Sequence, residues 1–330
     1  MQPQTFKRCR RQSCAYDRRT CITMTPQCFA QLRTKPLLHQ LEGARWMRDR
    51  ERCGSGGVLG DAMGLGKTLQ AITLIACDSR EAHVLGTCCR YCHFYALQLH
   101  VRAAPTLVVA PKSLLFQWRA EWLQHTDASP DSIVVHYGAQ RQAAPLPVGV
   151  RLVLATYGVV LSEHKATTSK TATDDVKRSS LLFNQPWHRV VYDEAHVARG
   201  GVALVQDGYW ARRRANHAKL LPALLALRAR HHWCLTGTPF NNRASDLCAL
   251  FKLARASPYD DERWWSEHAS DAAALAHMNG TAFLARPKSI LKLPPLHVYN
   301  LDVVMTAEEA KVSARARILL LLFLSLTPAL

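Results

Sequence analysis

Two short stretches hold residue types whose spacing suits phosphate chemistry. The first is the turn GDAMGLGKT, residues 60–68, where Gly64 and Gly66 stand just ahead of Lys67 and Thr68. Glycine lets the backbone curl until successive N–H groups point at one anion. A helix opening at that point adds its partial positive charge. A lysine so placed reaches the outer phosphates of a nucleotide, and a threonine hydroxyl ligates Mg²⁺. The full phosphate-loop pattern has glycine where this chain has Asp61, so the strict match fails at one position. The second stretch, RVVYDEAH, ends an apolar run in Asp193, Glu194, Ala195 and His196. A carboxylate at a strand end holds Mg²⁺ through water, and its neighbour orients or deprotonates an attacking water. His196 would then connect the nucleotide to a neighbouring surface. Alone, the first stretch also reads as a plain turn and the second as a solvated strand end. Together they read as two halves of one ATP site.

Elements that would position these turns surround them. GGVLGD, TLVVAP, SIVVHYG, RLVLATYG, RVVYDEAH and HHWCLTGTP are short apolar runs with strand character. GKTLQAITLIAC, SLLFQWRAEWLQH and NHAKLLPALLALRAR have helical character and alternate with them. Runs that are continuously apolar suit strands covered on both faces. The expected fold is therefore α/β, a parallel sheet between two helical layers. Polar segments near 78–104, 161–183 and 199–216 are expected to be inserted loops, and residues 1–35 a basic, poorly ordered extension.

Composition narrows the partners. Of 330 residues 48% are hydrophobic and 20% charged, which suits a chain with a substantial core and excludes a disordered tail. Forty-two basic against 25 acidic residues give +17, a charge that favours polyanions such as nucleic acid or else marks a solvated basic surface. Eleven cysteines without a signal peptide suit a reducing compartment. The basic cluster at residues 7–11 reads either as a nuclear-import patch or as chance. The apolar run 318–324 is shorter than the roughly 20 residues a bilayer span requires, so no membrane anchor is expected. It reads as a buried or frayed helix end, or as a chain stopping inside something longer. Cys88, Cys89, Cys92 and His93 hint at half a zinc site, but Cys9, Cys14, Cys21 and Cys28 are irregularly spaced, and zinc is not expected. Arg212 and its two arginine neighbours beside Trp210 suit either a DNA grip or a solvated loop.

The series LLHQLEGARWM, DAMGLGKT, VVAPKSLLFQW, LATYG, DEAH and LTGTPFNN resembles the helicase-like ATPases of the SWI/SNF chromatin-remodelling type, in helicase superfamily two, over roughly residues 37–304. The resemblance implies a first RecA-like lobe, a P-loop NTPase sandwich over residues 36–305, with ATP and Mg²⁺ as its ligands. Gln40 would read the adenine edge. Asp61, Ala62, Met63, Gly64, Leu65, Gly66, Lys67 and Thr68 would cradle the phosphates, and aspartate at position 61 is what that family itself carries. Thr68 and Asp193 would hold magnesium, Asp193 through water, with Glu194 as catalytic base. His196, Thr236, Gly237 and Thr238 would couple nucleotide state to DNA. Lys112, Ser113, Thr156 and Tyr157 would touch the backbone of double-stranded DNA. Near the lobe's end the family's paired arginines shrink to Arg286.

Nothing after Met305 resembles the family's second lobe, and residues 306–330 are expected to be an apolar helix or a truncated linker. The implied function is the ATP-binding lobe of a DNA-dependent ATPase or translocase, hydrolysing ATP to ADP and phosphate. It would be weak or inactive unless a second polypeptide supplies the missing lobe. The alternative is a truncated, non-hydrolysing nucleotide- or DNA-binding regulator of a complete ATPase. Either would act on duplex DNA, nucleosomes or other DNA-bound protein, in the nucleus or at a site of viral or host DNA metabolism.

Overall fold

A computed structural model describes residues 31–77, 104–138, 141, 145–169, 180–198, 219–239, 246–268, 270–291, 306 and 308. Residues 1–30, the cysteine cluster at 88–92, the arginines at 212–214 and the apolar run 318–324 lie outside the described residues. The chain divides into two units, Met1–Ile290 and Leu291–Leu330, and the sheet and site lie in the first.

Seven strands form one sheet: β1 (Gly57–Leu59), β2 (Thr106–Ala110), β3 (Ile133–His136), β4 (Leu152–Thr156), β5 (Trp187–Tyr192), β6 (Ala229–Leu235) and β7 (Phe283–Leu284). Their spatial order is β3-β4-β2-β5-β6-β1-β7, and each neighbouring pair runs parallel. The alternation of side chains along a strand divides the core in two. Leu107, Val109, Val153, Val190, Tyr192 and Cys234 enter one apolar cluster. Their immediate neighbours Val108, Leu154, Val191, Trp233 and Leu235 enter the other. Since both faces are apolar, both must be covered.

The helices do so by layer. On one face lie α1 (Leu38–Arg52), α2 (Lys67–Cys77) and α3 (Lys112–His125), contributing Met47, Ile72, Leu115, Trp118 and Trp122. On the other lie α4 (Tyr157–Thr168), α5 (Leu181–Asn184), α6 (Asp246–Ala254), α7 (Glu262–His268) and α8 (Ala272–Thr281). These bring Val160, Leu182, Phe251, Trp265 and Met278. The three-layer α/β sandwich expected from the apolar runs is the observed architecture. No helix among the described residues is long and apolar enough to cross a membrane.

Three details depart from the expectation. The stretch 161–183 is not wholly a loop: α4 continues to Thr168, and α5 occupies Leu181–Asn184. Its polar residues satisfy one another and the backbone, with Ser180 Oγ and Leu182 N both donating to Glu163 Oε2 at 2.7 and 3.4 Å. The basic extension ends earlier than residue 35. Leu32 bridges Thr126, Arg33 N donates to His125 O at 2.9 Å, and its side chain pairs with Asp127 at 2.9 Å. β7 was not anticipated, because two residues carry no periodicity.

A parallel sheet delivers the carboxyl ends of its strands to one edge. The turn after β1, the start of α3 after β2, Thr156 at the end of β4, Asp193 after β5 and Thr236 after β6 all emerge there.

Candidate active site

The turn between β1 and α2 has the shape its glycines allow. Gly64 and Gly66 sit at φ +89 and +71, the left-handed region that side chains disfavour. A Cβ on Gly66 would also collide with Gln40 Nε2. α2 then opens at Lys67, whose ammonium folds back to donate to Asp61 O at 2.8 Å and Ala62 O at 3.4 Å. Burial lowers the Lys67 pKa, opposed by the charges of Glu194, Asp61 and Asp193. Met63 and Gly64 are exposed at the rim, Leu65 is buried beneath, and Thr68 is half-buried in the first turn of α2.

Two expected nucleotide contacts hold protein instead. Asp61 is 0% exposed and faces inward. Its Oδ1 accepts from Arg286 Nε at 3.0 Å and Arg286 N at 3.1 Å, and its Oδ2 from Arg286 Nη2 at 2.6 Å and Gln70 Nε2 at 3.0 Å. Asp61 therefore anchors the loop rather than lining its ligand side. Gln40 lies under the loop, with Oε1 accepting from Leu37 N at 2.9 Å and Nε2 donating to Leu65 O at 3.4 Å. His39 Nε2 lies 3.1 Å from the same carbonyl, and Gln70 Nε2 lies 3.3 Å from it. His39, Gln70 and the true role of Arg286 escape a reading of the sequence. Gln70 leaves a signal as the one amide in an otherwise apolar helix face.

At the end of β5, Asp193 is 7% exposed. Its Oδ2 accepts from Trp118 Nε1 at 2.7 Å and its Oδ1 from Glu194 N at 2.9 Å. Burial raises its pKa, and the Trp118 bond opposes that rise. Glu194 turns through φ +49, a conformation costing a non-glycine residue about 1 kcal/mol. Its Oε2 is buried and makes no hydrogen bond among the described residues. His196 Nδ1 lies 3.0 Å away, outside hydrogen-bond angles.

The loop after β6 packs against the glycine-lysine turn. A Cβ on Gly237 would stand 2.7 Å from Met63 Cγ and 3.5 Å from Lys67 Nζ. Thr236 is buried, with its N donating to Leu59 O at 3.1 Å and its Oγ1 accepting from Thr238 N at 3.2 Å. Its hydroxyl shapes the turn that carries Gly237 and the exposed Thr238.

The expected DNA contacts split. Lys112 and Ser113 are exposed in the first turn of α3, with Lys112 Nζ 5.7 Å from the Tyr137 ring centre. Thr156 is buried, and its hydroxyl accepts from Val159 N at 3.2 Å to cap α4. Tyr157 is 6% exposed, with its hydroxyl donating to Asp193 O at 2.7 Å. Both hydroxyls are engaged inside the protein. Both instead brace the strand ends, because a helix N-terminus and a buried phenol each need a partner.

The donor set fits a triphosphate with a divalent cation: a glycine-shaped turn, a lysine beside acidic side chains, and a buried Glu194 oxygen that accepts no hydrogen bond among the described residues and lies beside His196. Thr68 and Asp193 are the residues that would hold the cation. A second cluster, Glu51, His188 and His231, brings potential ligand atoms within 4.8 Å of one another. Both Glu51 oxygens already take Arg189 N–H groups at 2.6 Å, and that charge repels a metal. The cluster is a structural ion pair.

A parallel sheet carrying a glycine-lysine turn after β1 and an Asp-Glu corner after β5 is the architecture of a RecA-like nucleotide-binding lobe. The sequence profile of the SNF2-related domain matches residues 39–319, and the chain belongs to that family. It is 34% identical over 282 residues to the "Probable global transactivator" of Orgyia pseudotsugata multicapsid polyhedrosis virus, covering 84% of this chain and 47% of that protein. It is 30% identical to transcription termination factor 2 of Drosophila melanogaster, covering 74% and 22%, and 32% identical to DNA repair protein rad5 of Aspergillus fumigatus, covering 64% and 16%. The chain thus spans less than half the length of these relatives. Two Sulfolobus solfataricus structures share the fold. The SWI2/SNF2 ATPase core in complex with dsDNA has a TM-score of 0.50 at 21% identity, covering 78% of this chain and 46% of that one. The ATPase core domain has a TM-score of 0.51 at 22% identity, covering 81% and 47%.

Proposed function

We propose that this chain is the ATP-binding lobe of a DNA-dependent ATPase that hydrolyses ATP to ADP and phosphate while pulling on one strand of duplex DNA. The observation that carries the reading is the meeting of three turns from β1, β5 and β6: Lys67, the Asp193–Glu194 pair and Gly237.

Lys67 leaves the Asp61 and Ala62 carbonyls and pairs with the β- and γ-phosphates, its ammonium already half-desolvated and flanked by acids. Backbone N–H groups of the glycine turn and the start of α2 hold the remaining phosphate oxygens. Magnesium, held by Thr68 and through water by Asp193, would neutralise charge building on the transferred phosphoryl group. Glu194 Oε2, with no other hydrogen bond among the described residues, orients water and accepts its proton as the new O–P bond forms and the bond to ADP breaks. His196, Gly237 and Thr238 relay nucleotide state outward. Gln40 would exchange its loop contact for adenine.

Lys112 and Ser113 serve as the phosphate-backbone contacts, since an ammonium and a hydroxyl at a helix N-terminus bind phosphate without base specificity. The +17 charge supports a polyanionic partner. Two similar proteins point the same way: one structural neighbour forms a complex with dsDNA, and one relative is a DNA repair protein. The arginines that complete the site belong to a second lobe, and the substrate is DNA carrying nucleosomes or other bound protein, in the nucleus or where viral DNA is handled.

The test is Mg·ATP binding and hydrolysis by the purified chain, with and without duplex DNA, beside Lys67→Ala. The expected result is binding that weakens at least tenfold in the variant, the loss of one charge-assisted contact or more. Equal affinities would overturn the reading of the turn. Binding that depends on Lys67 without turnover at any DNA concentration would make the chain a nucleotide-binding lobe that needs a second lobe for hydrolysis.

A further inference from the structure

α3 begins with exposed Lys112 and Ser113 and runs inward to two fully buried indoles one turn apart, Trp118 and Trp122. Their partners differ. Trp122 Nε1 reaches Ser132 Oγ at 3.4 Å, a long bond between neutral groups. Trp118 Nε1 donates to Asp193 Oδ2 at 2.7 Å, short for an N–H donor and typical of a bond to a charged acceptor. An indole N–H only donates, so it stabilises the carboxylate and fixes its rotation. With Oδ1 taken by Glu194 N and the carbonyl taken by the Tyr157 hydroxyl, Asp193 is fastened from β5, α3 and α4 together.

The register explains why α3 is the element that does this. β2 pairs directly with β5, and α3 leaves the end of β2 one residue after Ala110. Six residues separate Lys112 from Trp118, about 9 Å of rise along one rigid rod. The first turn of α3 is at the surface, and its second turn holds the carboxylate.

We propose that Trp118 is a positioning residue that sets the Asp193 carboxylate for its metal and makes that setting follow the α3 turn carrying Lys112 and Ser113. This rests on reading the site as one for Mg·ATP and the α3 start as a phosphate-backbone contact. DNA phosphates pulling on that turn move the whole helix, and the indole carries the movement to Asp193.

The full chain is compared with Trp118→Phe, which keeps an aromatic ring and removes the N–H, and with Trp122→Phe, which makes the same change one turn away. The readout is the Mg²⁺ concentration that half-saturates binding of a fluorescent ATP analogue, with and without a duplex oligonucleotide. Trp118→Phe is expected to raise that concentration about tenfold, the worth of one hydrogen bond to a charged group. It is also expected to abolish the shift the duplex causes in the unmutated chain. Trp122→Phe leaves both unchanged. Equal effects of the two variants, or none from Trp118→Phe, overturn the positioning role while leaving the nucleotide reading intact. Failure of the unmutated chain to bind the analogue at any Mg²⁺ concentration overturns both. Should Trp118→Phe not fold, ¹⁵N-tryptophan labelling of the otherwise unmutated chain decides. The indole resonance displaced by Asp193→Ala must also move when Mg²⁺ and ATP are added, and a static resonance overturns the proposal.

Discussion

Two arginine–carboxylate forks, one buried and one with its arginine half-buried, stand at the two ends of α1. At its start, Arg286 grips Asp61 and donates to His39 O at 2.6 Å and Gln70 Oε1 at 3.0 Å. At its far end, Arg189 grips Glu51 through two bonds of 2.6 Å, and Trp233 Nε1 adds a third donor at 2.8 Å. Eleven residues of helix separate Gln40 from Glu51, about 17 Å. The chemistry is the same but the surroundings differ. The Glu51 fork joins α1 to β5 and β6 within the core, so every partner belongs to a regular element. The Asp61 fork joins α1, α2 and the segment after β7 to a loop. One fork fixes the scaffold, and the other fixes the shape of the glycine-lysine turn.

That contrast can be broken by mutation, most severely at Glu51. Glu51→Gln leaves the Arg189 guanidinium, 0% exposed, without its counter-charge, at a cost of about 3–5 kcal/mol. Urea unfolding should show that loss, while the folded fraction keeps its affinity for nucleotide. A variant as stable as the parent would show that the pair does not hold the scaffold.

Arg286→Ala should do the reverse. Asp61 keeps Gln70 as a side-chain partner, so the stability loss is smaller, about 2 kcal/mol. Affinity for Mg·ATP should fall at least tenfold, with Arg286→Lys recovering only part, because an ammonium replaces the charge but not the fork. If binding and stability fell in step, the two forks would be equivalent and the contrast would fail.

The smallest effect is a pH dependence concentrated near the scaffold fork. Burial pushes His231 down to about 4 and His232 to about 3, from 6.5. Both are neutral in the fold, while the unfolded chain protonates them below pH 6.5, so stability falls as pH drops from 6.5 towards 3. Burial alone would raise the Glu51 carboxyl, but Arg189 holds it well below its ordinary 4.5. Its contribution is therefore complete above pH 4.5 and lost only as pH falls further below. Denaturation at a series of pH values should show a decline beginning near 6.5, and His232→Phe should flatten it. A profile level from about pH 7 to 5 would contradict the buried neutral histidines.

Much of the architecture was legible because it rests on local regularities. Runs such as TLVVA and RLVLAT announce doubly covered strands, and GLGKT announces a turn into a helix. β7 was illegible because it is a strand only by pairing with β1. The length of α4 was hidden because its polar residues look like a loop until Glu163 meets Ser180 and Leu182.

The site divides along the same line. Residue type, glycine spacing and apolar runs act over a few positions, so they are enough to put Lys67 at the start of a helix and Asp193 and Glu194 at a strand end. Which way each side chain faces is settled only by folding. Asp61 turns inward because Arg286, 225 residues away, offers a better partner than water. Trp118 meets Asp193 across 75 residues. Tyr157 became a brace because β4 and β5 flank β2, bringing its hydroxyl to the Asp193 carbonyl. Orientation follows from where a buried polar group finds its partner, and those partners come together only when the sheet closes.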